Sequence, residues 1–156
     1  FYVRRRIERA ITELACKNAK PEQIAALRQM VIDERDCFAR GDRGMGIRLS
    51  GEFHLKLAEA AGNLTLLGFL RSLISQTSLI IALYESNSRT HCSDAEHDQV
   101  IDAIEAGNVE VAVDLMMRHM DSVDAKLNLD GETASDDLHA VFSHLLPGSK
   151  KKTASR

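Results

Sequence analysis

The stretch IRLSGEFHLKLAEAAGN, residues 47–63, carries the pattern that decides the fold. Its apolar residues Phe53, Leu57 and Ala61 recur at helical spacing, so they share one face of a helix. Gly62 and Asn63 then interrupt the pattern, as residues at helix ends commonly do. The same face also carries His54, one turn before Ala58. The stretch therefore predicts an amphipathic helix with a histidine on its inner side.

Similar patterns flank this helix on both sides. We predict further helices over residues 3–18, 21–40, 64–84, 94–106 and 108–127, and a short one over 135–146. Residues 41–46, which contain three glycines, are expected to form a connector. Ser93 and Glu96 have the spacing of a capping box at the start of their helix. The short connections predict an all-α antiparallel bundle of six to seven helices.

The composition of the 156-residue chain supports this fold class. The chain holds 18 Leu and 18 Ala but only 2 Pro and no Trp, which favours helices over a β-sandwich or barrel. We predict one helical domain over residues 1–128. Residues 129–156 are expected to be an extension that ends in a disordered tail. The most apolar stretch, residues 79–83, is far shorter than a membrane span, so no membrane association is expected.

Charge and cysteine content narrow the class of protein. The net charge is −3, and residues 150–156 contribute +4, so residues 1–149 sum to −7. Such an acidic body is a poor surface for DNA. The three cysteines, Cys16, Cys37 and Cys92, have neither an even number nor CxxC spacing, which favours a reducing cytoplasm over a disulfide framework.

Three histidines are the candidate functional residues. His54, His97 and His119 each lie on the apolar face of a different predicted helix, whereas His91, His139 and His144 do not. One buried histidine is usually a hydrogen-bonded core residue, but three could share a divalent metal. Separated histidines lack a short metal motif, so a metal-free helical interaction module stays open as an alternative.

Two further residues bear on this site. Ser50 lies one turn before His54 and could offer only a weak hydroxyl ligand. Arg4 shares the inner face of its helix and could bind the carboxylate of an effector or pair with Glu8 on the helix surface. The residues show no nucleophile elbow and no HExxH, so no enzyme is predicted. A small metal-dependent hydrolase using the same three histidines is the alternative.

Four segments in order resemble the FCD effector-binding domain of GntR-type bacterial transcription regulators, in the FadR-like branch. They are RRRIE at 4–8, EFHLKLAEAAGN at 52–63, EHDQVIDAIEAGN at 96–108 and AVDLMMRH at 112–119. The resemblance covers roughly residues 1–128 and implies an all-α bundle, a homodimer and a small-molecule effector such as a carboxylate. It also implies a DNA-binding winged helix-turn-helix domain upstream, and the start at Phe1, within a predicted helix, is consistent with a chain cut between two domains.

The resemblance also implies a divalent metal, with Zn or Ni expected, held by an aspartate and three histidines. The histidine positions correspond to His54, His97 and His119, the residues already selected by helical face. The aspartate position corresponds to Ser50. This departure implies a site without a protein carboxylate ligand, of lower affinity unless water or an effector carboxylate supplies the missing oxygen. Because some relatives in the family bind effectors without metal, an empty site is the alternative.

Overall fold

The computed structural model describes residues 2–84 and 93–127, and these form six helices. The all-α fold class is confirmed. The predicted helix at 135–146, the predicted tail and three of the histidines (His91, His139 and His144) lie outside the described residues, as does Cys92. The helices are α1 Tyr2–Asn18, α2 Pro21–Ala39, α3 Arg43–Ala61, α4 Leu64–Tyr84, α5 Ser93–Glu105 and α6 Val109–Ala125.

Helix α3 is central and packs against α1, α2 and α4. Helices α5 and α6 form a hairpin whose two members pack against α2 and α1. The apolar faces meet in one core, which excludes water from the interior of the bundle. Its largest fully buried apolar side chains are Ile11, Leu27, Phe53, Leu57, Leu70, Ile101, Met116 and Met120.

The helix ends follow the local sequence signals. Pro21 occupies the first turn of α2, where its missing N–H costs nothing. Gly62 ends α3 with a φ of 75°, a conformation that glycine adopts without strain. The Asn63 side chain accepts hydrogen bonds from the backbone of the first turn of α4, and Asn108 caps α6 in the same way.

The start of α3 differs from the sequence prediction. The expected connector at 41–46 is shorter, because α3 begins at Arg43 and the Asp42 carboxylate accepts a hydrogen bond from the Met45 backbone. Gly46 therefore lies inside the helix. A Cβ atom there would come within 2.6 Å of the Phe38 ring, so this glycine provides space for packing between α2 and α3.

Helix α4 is the one described helix whose length and composition would allow it to cross a membrane. Core helices of globular bundles meet the same criterion, so this is weak evidence. Helix α4 packs against α3 and α1 through its inner residues. Its outer side exposes Leu64, Phe69 and Leu79.

Candidate metal and effector site

Three histidines from three helices meet in the core of the bundle. His54 on α3, His97 on α5 and His119 on α6 are each no more than 1% exposed. One ring nitrogen from each lies within 4.8 Å of the other two. The predicted grouping by helical face is thus present in the structure. Such a cluster could hold a metal ion, since imidazole is a preferred ligand of Zn and Ni.

Each imidazole faces a carboxylate on its Nδ1 side. His97 Nδ1 lies 3.0 Å from Glu34 Oε2, and His119 Nδ1 lies 2.8 Å from Glu96 Oε2. His54 Nδ1 lies 3.0 Å from Glu8 Oε1, within ion-pair distance but off the line of a hydrogen bond. A carboxylate on one ring nitrogen orients the ring and fixes the proton on that nitrogen, an arrangement typical of metal-bound histidine.

This arrangement leaves the Nε2 atoms for the centre of the cluster. The Nε2 atoms of His97 and His119 are 3.3 Å apart. If both Nδ1 atoms carry protons, two lone pairs face each other at this distance, which is unfavourable unless a cation lies between them. Two nitrogen ligands 2.0–2.1 Å from a tetrahedral Zn²⁺ are about 3.3–3.4 Å apart. The spacing therefore fits a shared metal ion.

Two of the histidines, His54 and His119, are held in their neutral, ligand-competent form. Burial lowers the pKa of His54 to about 3, and the nearby Arg4 cation acts in the same direction. Burial and the neighbouring His97 lower the pKa of His119 to about 4. Because metal ions bind the unprotonated nitrogen, both rings are ready to bind at neutral pH.

Arg4 and Glu8 form a buried ion pair beside His54. Arg4 Nε donates to Glu8 Oε1 at 3.1 Å, and a terminal nitrogen donates to Thr77 Oγ1 at 2.8 Å. Burial opposes ionisation of Glu8, but His54 and Arg4 outweigh it and lower the Glu8 pKa to about 2. The ion pair expected from the sequence is present, although it lies in the core rather than on the helix surface.

Neighbouring side chains fix the ring positions. The Phe53 ring stacks on His97 with a centroid distance of 4.0 Å and an interplanar angle of 20°. Gly51 lets α4 approach α3 closely, because a Cβ atom there would lie 3.0 Å from Ile74 and 3.1 Å from the Ser78 hydroxyl. The Phe53–His97 contact fixes α3 against α5, and the Gly51 contact fixes α3 against α4.

A cavity of about 40 Å³ lies beside His54 and His119 and is partly open to solvent. Ser50 lies in its wall, one helical turn from His54, so the residue at the expected aspartate position does face this space. Arg4 also lines the cavity. The full lining is Arg4, Phe38, Ile47, Ser50, Gly51, His54, Ser78, Ile81, His119, Val123 and Lys126.

The sequence reading did not assign Glu8, Glu34 or Glu96 to this site. Glu8 and Glu34 each lie among apolar residues of an inner helix face, and a carboxylate at such a position was an available signal of a buried polar partner. Glu96 was expected to close a capping box with Ser93. The Ser93 side chain lies outside the described part of the chain, so the capping box stays a prediction, while Glu96 Oε2 lies 2.8 Å from His119 Nδ1 on the facing helix.

The comparisons with known proteins agree with this fold. The family model of the FCD domain matches residues 1–122, and the chain belongs to the FCD-domain family. Its solved structural neighbours are regulators of the GntR family. The bundle is therefore the regulatory type of domain found in GntR-family transcription regulators.

Two of these neighbours illustrate the extent of the match. The chain is 29% identical to Streptococcus agalactiae GntR, with a TM-score of 0.70, over 80% of this chain and 56% of that one. It is 18% identical to E. coli McbR/YncC, with a TM-score of 0.72, over 80% of this chain and 63% of that one. The chain thus spans less than two thirds of either neighbour. A search of curated proteins gave no match.

Proposed function

We propose that this chain is the ligand-sensing and dimerisation domain of a cytoplasmic FadR-type regulator within the GntR family. In this proposal His54, His97 and His119 bind one divalent metal through Nε2, with Zn or Ni as the preferred ions. The observation that carries the proposal is the convergence of three buried imidazoles whose Nδ1 atoms all face carboxylates. In a metal-free core, the inward nitrogens of His97 and His119 could hydrogen-bond each other only if one ring carried its proton on Nε2, away from the carboxylate at its Nδ1.

The effector proposed for this site is a small organic acid. Three histidine ligands leave at least one coordination position for an oxygen atom. Ser50 in the cavity wall supplies no carboxylate for that position, so an effector carboxylate can occupy it. Arg4 lines the same cavity and retains N–H groups beyond those used by Glu8 and Thr77, which supports its proposed role in binding the effector.

Regulation of DNA binding by the effector would require a DNA-binding domain and a second subunit in addition to this helical bundle. We propose that a winged helix-turn-helix domain precedes the chain, as the shorter span relative to both structural neighbours suggests. The active form would be a homodimer, and the exposed apolar residues of α4, including Leu64, Phe69 and Leu79, are candidates for its contact. Effector binding would regulate DNA binding only by favouring one of two dimer arrangements.

The cavity chemistry favours sensing over hydrolysis. A metal-dependent hydrolase needs a general base that can reach the attacking water. Among the described residues, none of those lining the cavity is acidic, and the three nearby carboxylates already face histidine Nδ1 atoms. A regulator needs no such base, because binding alone performs its function.

Calorimetric titration with Zn²⁺ and with Ni²⁺ tests the metal proposal. The wild type is expected to bind one ion per chain. His97→Ala, which removes one ligand, should lose most of that binding, whereas Glu59→Gln, on the exposed side of α3, should retain it. Equal binding by the wild type and by His97→Ala would contradict the proposed site.

A further inference from the structure

The cavity beside the histidines has a distinctive charge pattern. Its polar lining consists of Arg4, Lys126, two imidazoles and two serine hydroxyls, with no carboxylate among the described residues. Because Ser50 replaces an acidic residue expected of the family, an entering anion meets only positive or neutral groups. The lining therefore selects for anions more strongly than one that includes an aspartate.

The two cations lie in different environments. Arg4 is buried, and its charge is balanced by Glu8. Lys126 follows α6 directly, is only partly buried, and has no described carboxylate within ion-pair distance. It nevertheless lies near enough to Glu96 to contribute to the lowered pKa of that carboxyl group. Lys126 therefore offers an ammonium group that is available to a ligand.

We infer that Lys126 binds a second anionic group of the effector, so that the cavity prefers dicarboxylates over monocarboxylates. One carboxylate would bind at the metal and the other at Lys126, while the Ser50 and Ser78 hydroxyls can bond an oxygen between them. The apolar residues Ile47, Ile81 and Val123 also line the cavity and can pack against a short carbon chain. This inference rests on the proposed function and specifies the chemical class of the effector.

Titration of the Zn²⁺-loaded chain with two matched probes, succinate and butyrate, tests this inference. Both have four carbons, but only succinate carries a second carboxylate. We expect succinate to bind about tenfold more tightly than butyrate. One charge-assisted contact in a partly buried site raises the affinity by about this factor. Lys126→Met should remove this preference by weakening succinate binding far more than butyrate binding. Lys126→Arg should keep the preference, and Lys56→Met is the surface control.

The outcomes separate the two proposals. If both probes bind equally to the wild type, or if Lys126→Met keeps the preference for succinate, the role of Lys126 is wrong while the carboxylate site stands. If neither probe binds to the Zn²⁺-loaded chain, both the inference and the proposed carboxylate effector are overturned. Circular dichroism of Lys126→Met will establish that the variant is folded, and Lys126→Arg provides an independent test if it is not.

Discussion

His97 and His119 are 22 positions apart in the chain, yet their Nε2 atoms lie 3.3 Å apart in the core. Glu34 and Glu96 face the Nδ1 atoms of the same two rings. The protons are thereby drawn to the outer nitrogens, and the inner nitrogens are left as paired acceptors. The cluster could therefore hold a cation between these two inner nitrogens, as proposed above.

Glu8→Gln is expected to weaken metal binding and to destabilise the fold. The substitution removes the negative charge that faces His54 and balances the buried Arg4. Loss of such a partner typically lowers metal affinity about 10–100-fold. Leaving Arg4 buried without its counter-charge should cost about 3–5 kcal/mol in the free energy of unfolding.

Urea unfolding and Zn²⁺ titration measure these two effects. Glu13→Gln is the matched control, because Glu13 lies on the same helix and forms an exposed pair with Arg9. Such surface pairs contribute at most about 1 kcal/mol. A Glu8→Gln protein with the stability and the metal affinity of Glu13→Gln would show that the buried pair does not support the site.

The metal-free chain should lose stability as the pH falls from 7 toward 5. The pKa values of His54 and His119 in the folded chain, about 3 and about 4, lie below the ordinary histidine value. The unfolded chain therefore takes up protons first, near pH 6.5, so unfolding becomes easier as the pH decreases. The stabilising effect is present above about pH 6.5 and declines until the folded-state pKa values are reached.

Urea unfolding after removal of metal with a chelator, repeated between pH 7 and pH 5, measures this dependence. Near pH 5, unfolding should be accompanied by the uptake of about two protons, one each at His54 and His119. His119→Gln should reduce this proton uptake by about one. In the folded chain, the Glu8 and Glu96 carboxyl groups titrate below this pH range, because both pKa values are lowered. Stability of the metal-free chain that does not change over this range would contradict the buried, neutral state of the two rings.

Two glycine substitutions should have opposite effects. Gly46→Ala places a methyl group within 2.6 Å of the Phe38 ring, and overpacking of this kind costs about 1–3 kcal/mol. Gly68→Ala on α4 meets no atom within 4 Å and should stabilise the helix by about 0.5–1 kcal/mol. Thermal unfolding of both variants provides the comparison. If Gly46→Ala were the more stable variant, the packing of α2 against α3 would differ from that described.

The fold and the histidine cluster were accessible from sequence because both depend on periodicity. Helical spacing placed Phe53 and Leu57 on one face, and the same rule placed His54 beside them. The N-terminal boundary of α3 was harder to predict from the sequence. Gly46 resembles a helix breaker in sequence, but its role depends on the Phe38 ring of another helix.

The carboxylates of the site were harder to predict for a related reason. In one of the two alternatives that the sequence leaves open for Arg4, Glu8 is its surface partner, because an i, i+4 pair gives no indication of whether a third helix covers it. Glu96 satisfied a local capping pattern, but its contact with His119 bridges α5 and α6. A local pattern specifies neighbours along one helix, and these contacts depend on how the helices pack.

X-ray absorption spectroscopy of the Zn²⁺-loaded chain tests the central claim most directly. The proposed site predicts three imidazole nitrogens at about 2.0–2.1 Å from the metal, with oxygen completing the shell and no sulfur ligand. His97→Ala should reduce the imidazole contribution or abolish binding. A shell with sulfur ligands, or with at most one imidazole, would show that the metal binds elsewhere and that the three buried histidines have another role.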